Sequence, residues 1–541
     1  MIMCALETVA IAPVRPADDA VARPGRKRVL FITTPWQSPK DNSVYSNYIL
    51  FPLGIGYLAA IARNRGCEVK VVDSLLLGWK NIREENNSIV RGLTWEEITK
   101  EIESFAPDVV AISGTFSSQS PMPHKVAEIV KGQNPKTITL LGGAYASAEP
   151  QKAVSDSNID FVFVGEAERT FDQFLTTEDP TTVKGLLFQK EGKVTSTGEG
   201  ERIMNLDEIP FPAYDLMHLD KYFKANHEGA ITRGKAIDNT VSIITSRGCP
   251  HFCNFCSIYQ VWGRQWRFRS PKNVVDEIEL LVKTHGVKHI LFEDDNMTIN
   301  MTRFEQICDE IVARQLKITW ETPNGIRGDR VSLQLAKKMK TAGCKRVRIA
   351  IENGDQETLN SIIHKDLNLE RALQGIQACL DAKLLVDCFF IFGIPGETME
   401  TFRKTHDFAL KCLKMGANPL CSMAFPLPGT PMYNECVEKG YLVEEMDWSH
   451  VMSARIHPIV RTPEFGPEDV VYWYNKTQRD ITLNIVLHPW LFFHTNSGAD
   501  MLNSPEKARR GLWKLYTGSI KPFFVRFKLS PSQANKPGTS E

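Results

Sequence analysis

The sequence predicts an α/β protein: an N-terminal doubly wound, Rossmann-like parallel sheet, then a partial (β/α)6 barrel, then a mainly helical C-terminal region. Three observations predict it. Apolar runs of strand length alternate with helix-length segments between residues 27 and 175. A second alternating series begins near Thr240 and holds six such units, fewer than a closed eight-unit barrel needs. From about Gly440 the pattern turns helical.

In the front series, strands are expected at 28–33, 68–73, 108–113, 137–141 and 160–164, with helices at 53–65, 94–105 and 123–132. The helix at 94–105 carries Ile98, Ile102 and Phe105 on one face. Ligands of such sheets bind at the carboxyl ends of the strands, and small residues there admit a bulky group. Those ends hold Thr33 to Trp36, Ser113 to Thr115, Gly142 to Tyr145, and Gly165 with Glu166. In the second series, strands are expected at 241–245, 289–292, 318–322, 346–351, 386–392 and 419–425. Ser270 and Pro271 start one intervening helix as N-cap and first helical residue. The chain of 541 residues exceeds one ordinary core and divides as a flexible tail at 1–26, a front domain at 27–175, a connector at 176–235, a core at 236–440, a helical region at 441–529 and a flexible tail at 530–541. The connector carries a strand-like piece at 183–188, and C-terminal helices are expected at 467–487 and 505–516.

Lysine plus arginine equals aspartate plus glutamate at 64 each, which gives no nucleic-acid or acidic-membrane footprint. No signal peptide or spanning segment is apparent, and the cytoplasm is the expected location. Of twelve cysteines, nine are scattered singly as expected small core residues. The other three, Cys249, Cys253 and Cys256, stand in Ser246-Arg-Gly-Cys-Pro-His-Phe-Cys-Asn-Phe-Cys256 directly after an expected strand. Three soft thiolates on one tight loop can hold three irons of a cubane and leave the fourth iron open to chelate a small ligand. The competing reading is zinc with His251 as fourth ligand, but His251 lies inside the loop, where tetrahedral closure is awkward.

This C-x3-C-x2-C loop, with Phe255 before the last cysteine, resembles the radical S-adenosylmethionine superfamily. The resemblance implies a 4Fe-4S cluster on Cys249, Cys253 and Cys256, with its open iron binding the amino and carboxylate groups of S-adenosylmethionine. Downstream motifs follow in the family's order. Glu293, Asp294 and Asp295 end the second core strand, at the family's amino-group contacts. Arg327 follows the third strand as a carboxylate partner. Glu352 and Asn353, in a motif more often Glu-Ser-Gly, would face the ribose, and Gly393 ends the fifth strand.

The front domain resembles the cobalamin-binding domain fused to one branch of that superfamily, through 52–60, 66–73, 141–147 and 165–170. That implies cobalamin contacts at Ser113, Thr115, Gly142, Gly143, Tyr145, Gly165 and Glu166. Tyr145 stands where relatives often have His, and the D-x-H-x-x-G signature is absent, so no motif histidine would hold the cobalt. Together the resemblances imply a cobalamin-dependent C-methyltransferase that uses methylcobalamin on an unactivated carbon, with a reducing electron donor of flavodoxin or ferredoxin type. The basic and aromatic stretch 259–269 either lines the substrate site or is a packed connector. With 270–275 it resembles methylases of bacterial natural-product pathways such as fosfomycin biosynthesis, which implies a small substrate, phosphonate or nucleotide-linked. No catalytic side chain is assigned. A radical cyclase with the same cofactors and a non-catalytic cobalamin or iron-sulfur sensor are the alternatives. An RNA methylthiotransferase is disfavoured, because a second N-terminal cysteine triplet and a basic tail are absent.

Overall fold

The computed structural model describes residues 27–40, 48–86, 88–228, 230–232, 239–443, 458–488 and 491. Both expected tails and the helix expected at 505–516 lie outside the described residues.

Five parallel strands, Arg28–Thr33, Glu68–Asp73, Val109–Ser113, Ile138–Gly142 and Phe161–Phe163, build the front sheet. Their apolar runs have a simple cause. Val29, Phe31, Val109 and Ala111 enter one core, while Leu30, Ile32, Val110 and Ile112 enter a second core on the opposite face. A sheet covered on both faces has no solvent side, so its strands cannot alternate in polarity. The helix Trp95–Phe105 starts with a Thr94–Glu97 capping box and buries Ile98, Ile102 and Phe105.

The sheet extends past the boundary expected at residue 175. Leu186–Lys190 and Lys193–Ser196 form an antiparallel hairpin that adds to the strand Phe161–Phe163. Glu191 and Gly192, both at positive φ, make its turn. A small antiparallel sheet of Trp36–Pro39, Ile82–Glu85 and Ser88–Arg91 also has no counterpart among the expected elements.

The second unit is an open run of six parallel strands in sequence order: Thr240–Ile243, His289–Phe292, Thr319–Ile326, Cys344–Glu352, Leu385–Phe392 and Asn418–Met423. The helix Pro271–His285 begins as expected, with Ser270 Oγ accepting from the Asn273 amide at 3.2 Å and Gly286 closing it in a left-handed turn. Helix Pro467–Leu487 packs on helix Met399–Met415 and on the last strand. Among the described residues no helix is long and apolar enough to cross a membrane. Eight of the scattered cysteines are buried and stand outside any disulfide, as expected of core residues; Cys4 lies outside the described residues.

A charged layer lies buried across the barrel strands. Glu321 accepts from His289 at 3.2 Å and pairs with Arg346 at 3.4 Å and Arg348 at 3.5 Å. Asp387 pairs with the same arginines at 3.6 and 3.3 Å. Burial alone would raise the Glu321 carboxyl, but the His289 hydrogen bond and the two arginines bring it down to about 2.

Candidate functional site

The cysteine loop leaves the first barrel strand through a short ribbon, Ser246–Arg247 paired antiparallel with Arg267–Phe268. Gly248, at φ +82°, makes the turn into Cys249; a Cβ there would stand 2.4 Å from the Gln265 carbonyl oxygen. The loop is then pinned at its middle. The Asn254 amide donates to the Ile363 carbonyl at 3.0 Å, and the Met432 amide donates to the Asn254 carbonyl at 3.0 Å. Phe255 packs against the barrel core.

All three thiols are partly exposed on this one loop. Burial pushes each of them up, Cys256 to about 12. Cys249, Cys253 and Cys256 supply three soft sulfur donors within eight residues of one loop, a donor set that fits three irons of a cubane. His251 is not a fourth ligand here; its ring faces Arg327 Nη1 at 3.2 Å.

The expected S-adenosylmethionine residues divide into two groups. Asp295 and Glu352 come close enough to the cysteine loop for their charges to raise its thiols. Glu293 is half-buried, with Ser242 Oγ donating to it at 3.1 Å and Asn324 Nδ2 at 3.3 Å. Glu352 holds a left-handed backbone at φ 71° and receives Lys365 Nζ at 2.8 Å. Such strain in a non-glycine residue concentrates at functional sites.

The other group is bonded to neighbouring side chains and backbone. Asp294 is buried and accepts from the Thr245 amide at 3.1 Å, the Thr245 hydroxyl at 2.7 Å and the Ser246 hydroxyl. It anchors the chain entering the cysteine loop. Asn353 is fully buried; its Nδ2 donates to Glu397 at 2.6 Å and its Oδ1 accepts from the Asp355 amide at 2.9 Å. Gly393 donates its amide to the same Glu397 at 2.9 Å and lies beneath Val470. Burial raises that Glu397 carboxyl to about 8. Arg327 forks onto Asp329 at 3.0 and 2.7 Å and donates to the Lys365 carbonyl at 3.1 Å and the Asp366 carbonyl. These bonds brace the back of the cysteine loop.

The strand ends of the front sheet open into a cavity of about 440 Å³. Ser113, Thr115, Gly142, Gly143, Gly165 and Glu166 all line it. Ile258, Val261 and Trp262, from the segment directly after Cys256, line it as well. Gly143, at φ +106°, permits the close turn, since a Cβ there would lie 2.5 Å from the Gly114 carbonyl oxygen. Tyr145 is the exception. It is wholly buried in the sheet core, and its hydroxyl meets His124 Nε2 at 2.8 Å, with Asp156 on the other ring nitrogen at 2.7 Å.

The cavity's lining suits part of a large amphipathic ligand such as cobalamin. Its wall is mostly apolar, yet Trp36 Nε1 and Tyr57 Oη in that wall are buried without a hydrogen-bond partner. A ligand rich in amide groups supplies such partners. No histidine is among the described lining residues. Glu166 is not available to a ligand: it pairs with Arg247 and, at 2.6 Å, with Arg267. Tyr57, Trp36 and Arg247 were not singled out as site residues from sequence. Trp36 had a signal, standing just past the first strand's carboxyl end. The stretch 259–269 does both: Val261 and Trp262 line the cavity, and its arginines pack against neighbouring groups. Arg267 and Arg269 are buried in ion pairs, and Arg264 stacks on Phe252 and Tyr259 at 4.1 and 4.3 Å.

Two family patterns match the chain: B12 binding domain over residues 40–175 and Radical SAM superfamily over 243–409. The chain is 31% identical over 430 residues to cytidylyl-2-hydroxyethylphosphonate methyltransferase of Streptomyces wedmorensis, covering 73% of this chain and 79% of that protein. The chain belongs to the cobalamin-dependent radical S-adenosylmethionine methyltransferase family. It is accordingly an enzyme with a 4Fe-4S cluster, S-adenosylmethionine and cobalamin as its cofactors. It is also 30% identical over 443 residues to the uncharacterized methyltransferase PH0819 of Pyrococcus horikoshii, covering 81% and 88% of the two chains. Among solved structures, the cobalamin-dependent S-adenosylmethionine radical enzyme OxsB shares the fold with TM-score 0.65, 16% identity and coverage of 94% of this chain and 74% of that one.

Proposed function

We propose that this enzyme methylates an sp3 carbon of a small natural-product intermediate, phosphonate or nucleotide-linked, in the gap between the front sheet and the barrel. The observation that carries this reading is the shared wall: Ile258, Val261 and Trp262 follow Cys256 directly and also face the cavity at the front sheet's strand ends. When bound, the cluster supplies the electron that cleaves S-adenosylmethionine, and cobalamin supplies the methyl carrier. Cys249, Cys253 and Cys256 hold the cluster. Asp295, Glu293 and the strained Glu352 are the polar groups on its approach and orient S-adenosylmethionine. Ser113, Thr115 and the Gly142, Gly143 and Gly165 backbone seat cobalamin, with Tyr57 and Trp36 donating to its periphery. The apolar wall excludes water, which protects a reactive carbon radical from quenching. The electron comes from a flavodoxin or ferredoxin in the cytoplasm.

The test is anaerobic reconstitution with iron, sulfide and hydroxocobalamin, followed by mass spectrometry of candidate phosphonates and nucleotide-linked phosphonates. A gain of one methylene unit supports methylation. Loss of two hydrogens without added carbon would replace it with cyclisation.

A further inference from the structure

The loop that carries the cysteines is fastened to the front domain by charge. Arg247 precedes Gly248 and Cys249 and is almost wholly buried. One end of its guanidinium meets Glu166, and Nη2 meets Glu168 at 2.6 Å. Its flat face lies over Trp262 at 4.5 Å and over Tyr57 at 5.3 Å. Directly across the ribbon, in register with Arg247, stands Arg267. Arg267 Nη1 meets the second Glu166 oxygen at 2.6 Å, and its Nη2 donates to the Trp262 carbonyl at 3.1 Å.

Two arginines facing each other across a ribbon repel. Here both are buried, so the repulsion is poorly screened and each charge needs a partner. The partners come from the other domain. Glu166 lies in the turn after the strand Phe161–Phe163, and Glu168 opens the helix Glu168–Thr176 that follows, about 80 residues upstream. Buried ion pairs add little net stability over apolar packing, but they fix geometry. Arg247, Glu166 and Glu168 also all face the cavity. The clamp therefore sits in the one wall that both cofactors share.

We propose that Arg247, held by Glu166 and Glu168, is a positioning residue that sets the distance between the cluster and cobalamin. The carboxylates of the front domain neutralise the arginine ribbon, and only then does the ribbon present its cysteines at a fixed distance from the cavity. This rests on the cavity holding cobalamin.

The experiment uses the full chain loaded with cluster and cobalamin, both reduced to paramagnetic states. Pulsed electron paramagnetic resonance reads the dipolar coupling between cobalt and cluster spins. The wild type should give one narrow distance. Glu168→Gln, with iron and cobalt contents unchanged, should broaden that distribution, and Glu168→Asp should restore it in part. An unchanged narrow distance in Glu168→Gln overturns the proposal. Hydrogen exchange on the unloaded chain gives a second, cofactor-independent readout. Glu168→Gln should speed exchange at 246–249 about tenfold while the barrel strand 385–392 keeps its protection. Equal protection at 246–249 in both proteins also overturns it. If wild type binds no cobalt, the cobalamin reading fails, and the exchange result still decides the clamp.

Discussion

Asp294 accepts a hydrogen bond from the Thr245 hydroxyl at 2.7 Å, from the end of one barrel strand to the exit of its neighbour. This contact separates the three adjacent acids at 293–295. Asp294 shapes the cysteine loop from behind, while Glu293 and Asp295 remain on its approach. Asp294→Ala leaves three donors without their acceptor and should cost about 2–4 kcal/mol of stability and lower iron content. Glu293→Ala should leave the melting temperature within about 2 °C and weaken S-adenosylmethionine binding, read by calorimetry. Equal effects of the two substitutions on stability would contradict this division.

Gly248 cannot take a side chain without moving the Gln265 backbone. Gly248→Ala should fold, since the barrel core does not depend on the turn, but should reconstitute with well under half the iron of wild type. Iron and sulfide analysis after anaerobic loading checks this; full occupancy would mean the turn is adaptable.

Asn353 ties the fourth strand's end to the loop after the fifth. Removing its amide should act on stability: Asn353→Ala should lose about 1–3 kcal/mol in urea unfolding. S-adenosylmethionine affinity of the folded variant should change less than in Glu352→Gln.

The Glu321 carboxyl lies below its ordinary value of 4.5, at about 2. A carboxyl depressed on folding contributes stability above its unfolded value and loses it as pH falls through the folded one. Wild-type stability should therefore decline between pH 4.5 and 2 more steeply than that of Glu321→Gln, by up to about 3 kcal/mol. Urea midpoints across that range measure it. Parallel profiles would show that the arginine layer does not depend on this charge.

The strands that carry the sites were legible because each is a compact apolar run. Arg28–Thr33, Glu68–Asp73 and His289–Phe292 lie where the sequence predicts them. The cysteine loop was legible because its ligands are contiguous. What sequence did not reveal depends on partners far along the chain. Arg247 looks like any basic residue until Glu166 and Glu168 fold against it. Asn353 and Arg327 carry polar groups at strand ends, and pattern alone does not tell whether neighbours already occupy them. Tyr145 follows a glycine pair at a cavity rim, yet the helix Ala144–Ala148 turns its ring into the core. The hairpin of Leu186–Lys190 and Lys193–Ser196 looked like a connector because its outer strand is half-polar, as an edge strand is.

Cleavage of S-adenosylmethionine should depend on the cluster held by the three cysteines. The direct measurement is chromatographic quantitation of 5′-deoxyadenosine from anaerobically reconstituted, reduced protein, for wild type and Cys253→Ala side by side. The account predicts deoxyadenosine from the wild type and none above background from the variant. Equal amounts from both, or none from a fully loaded wild type, would contradict it.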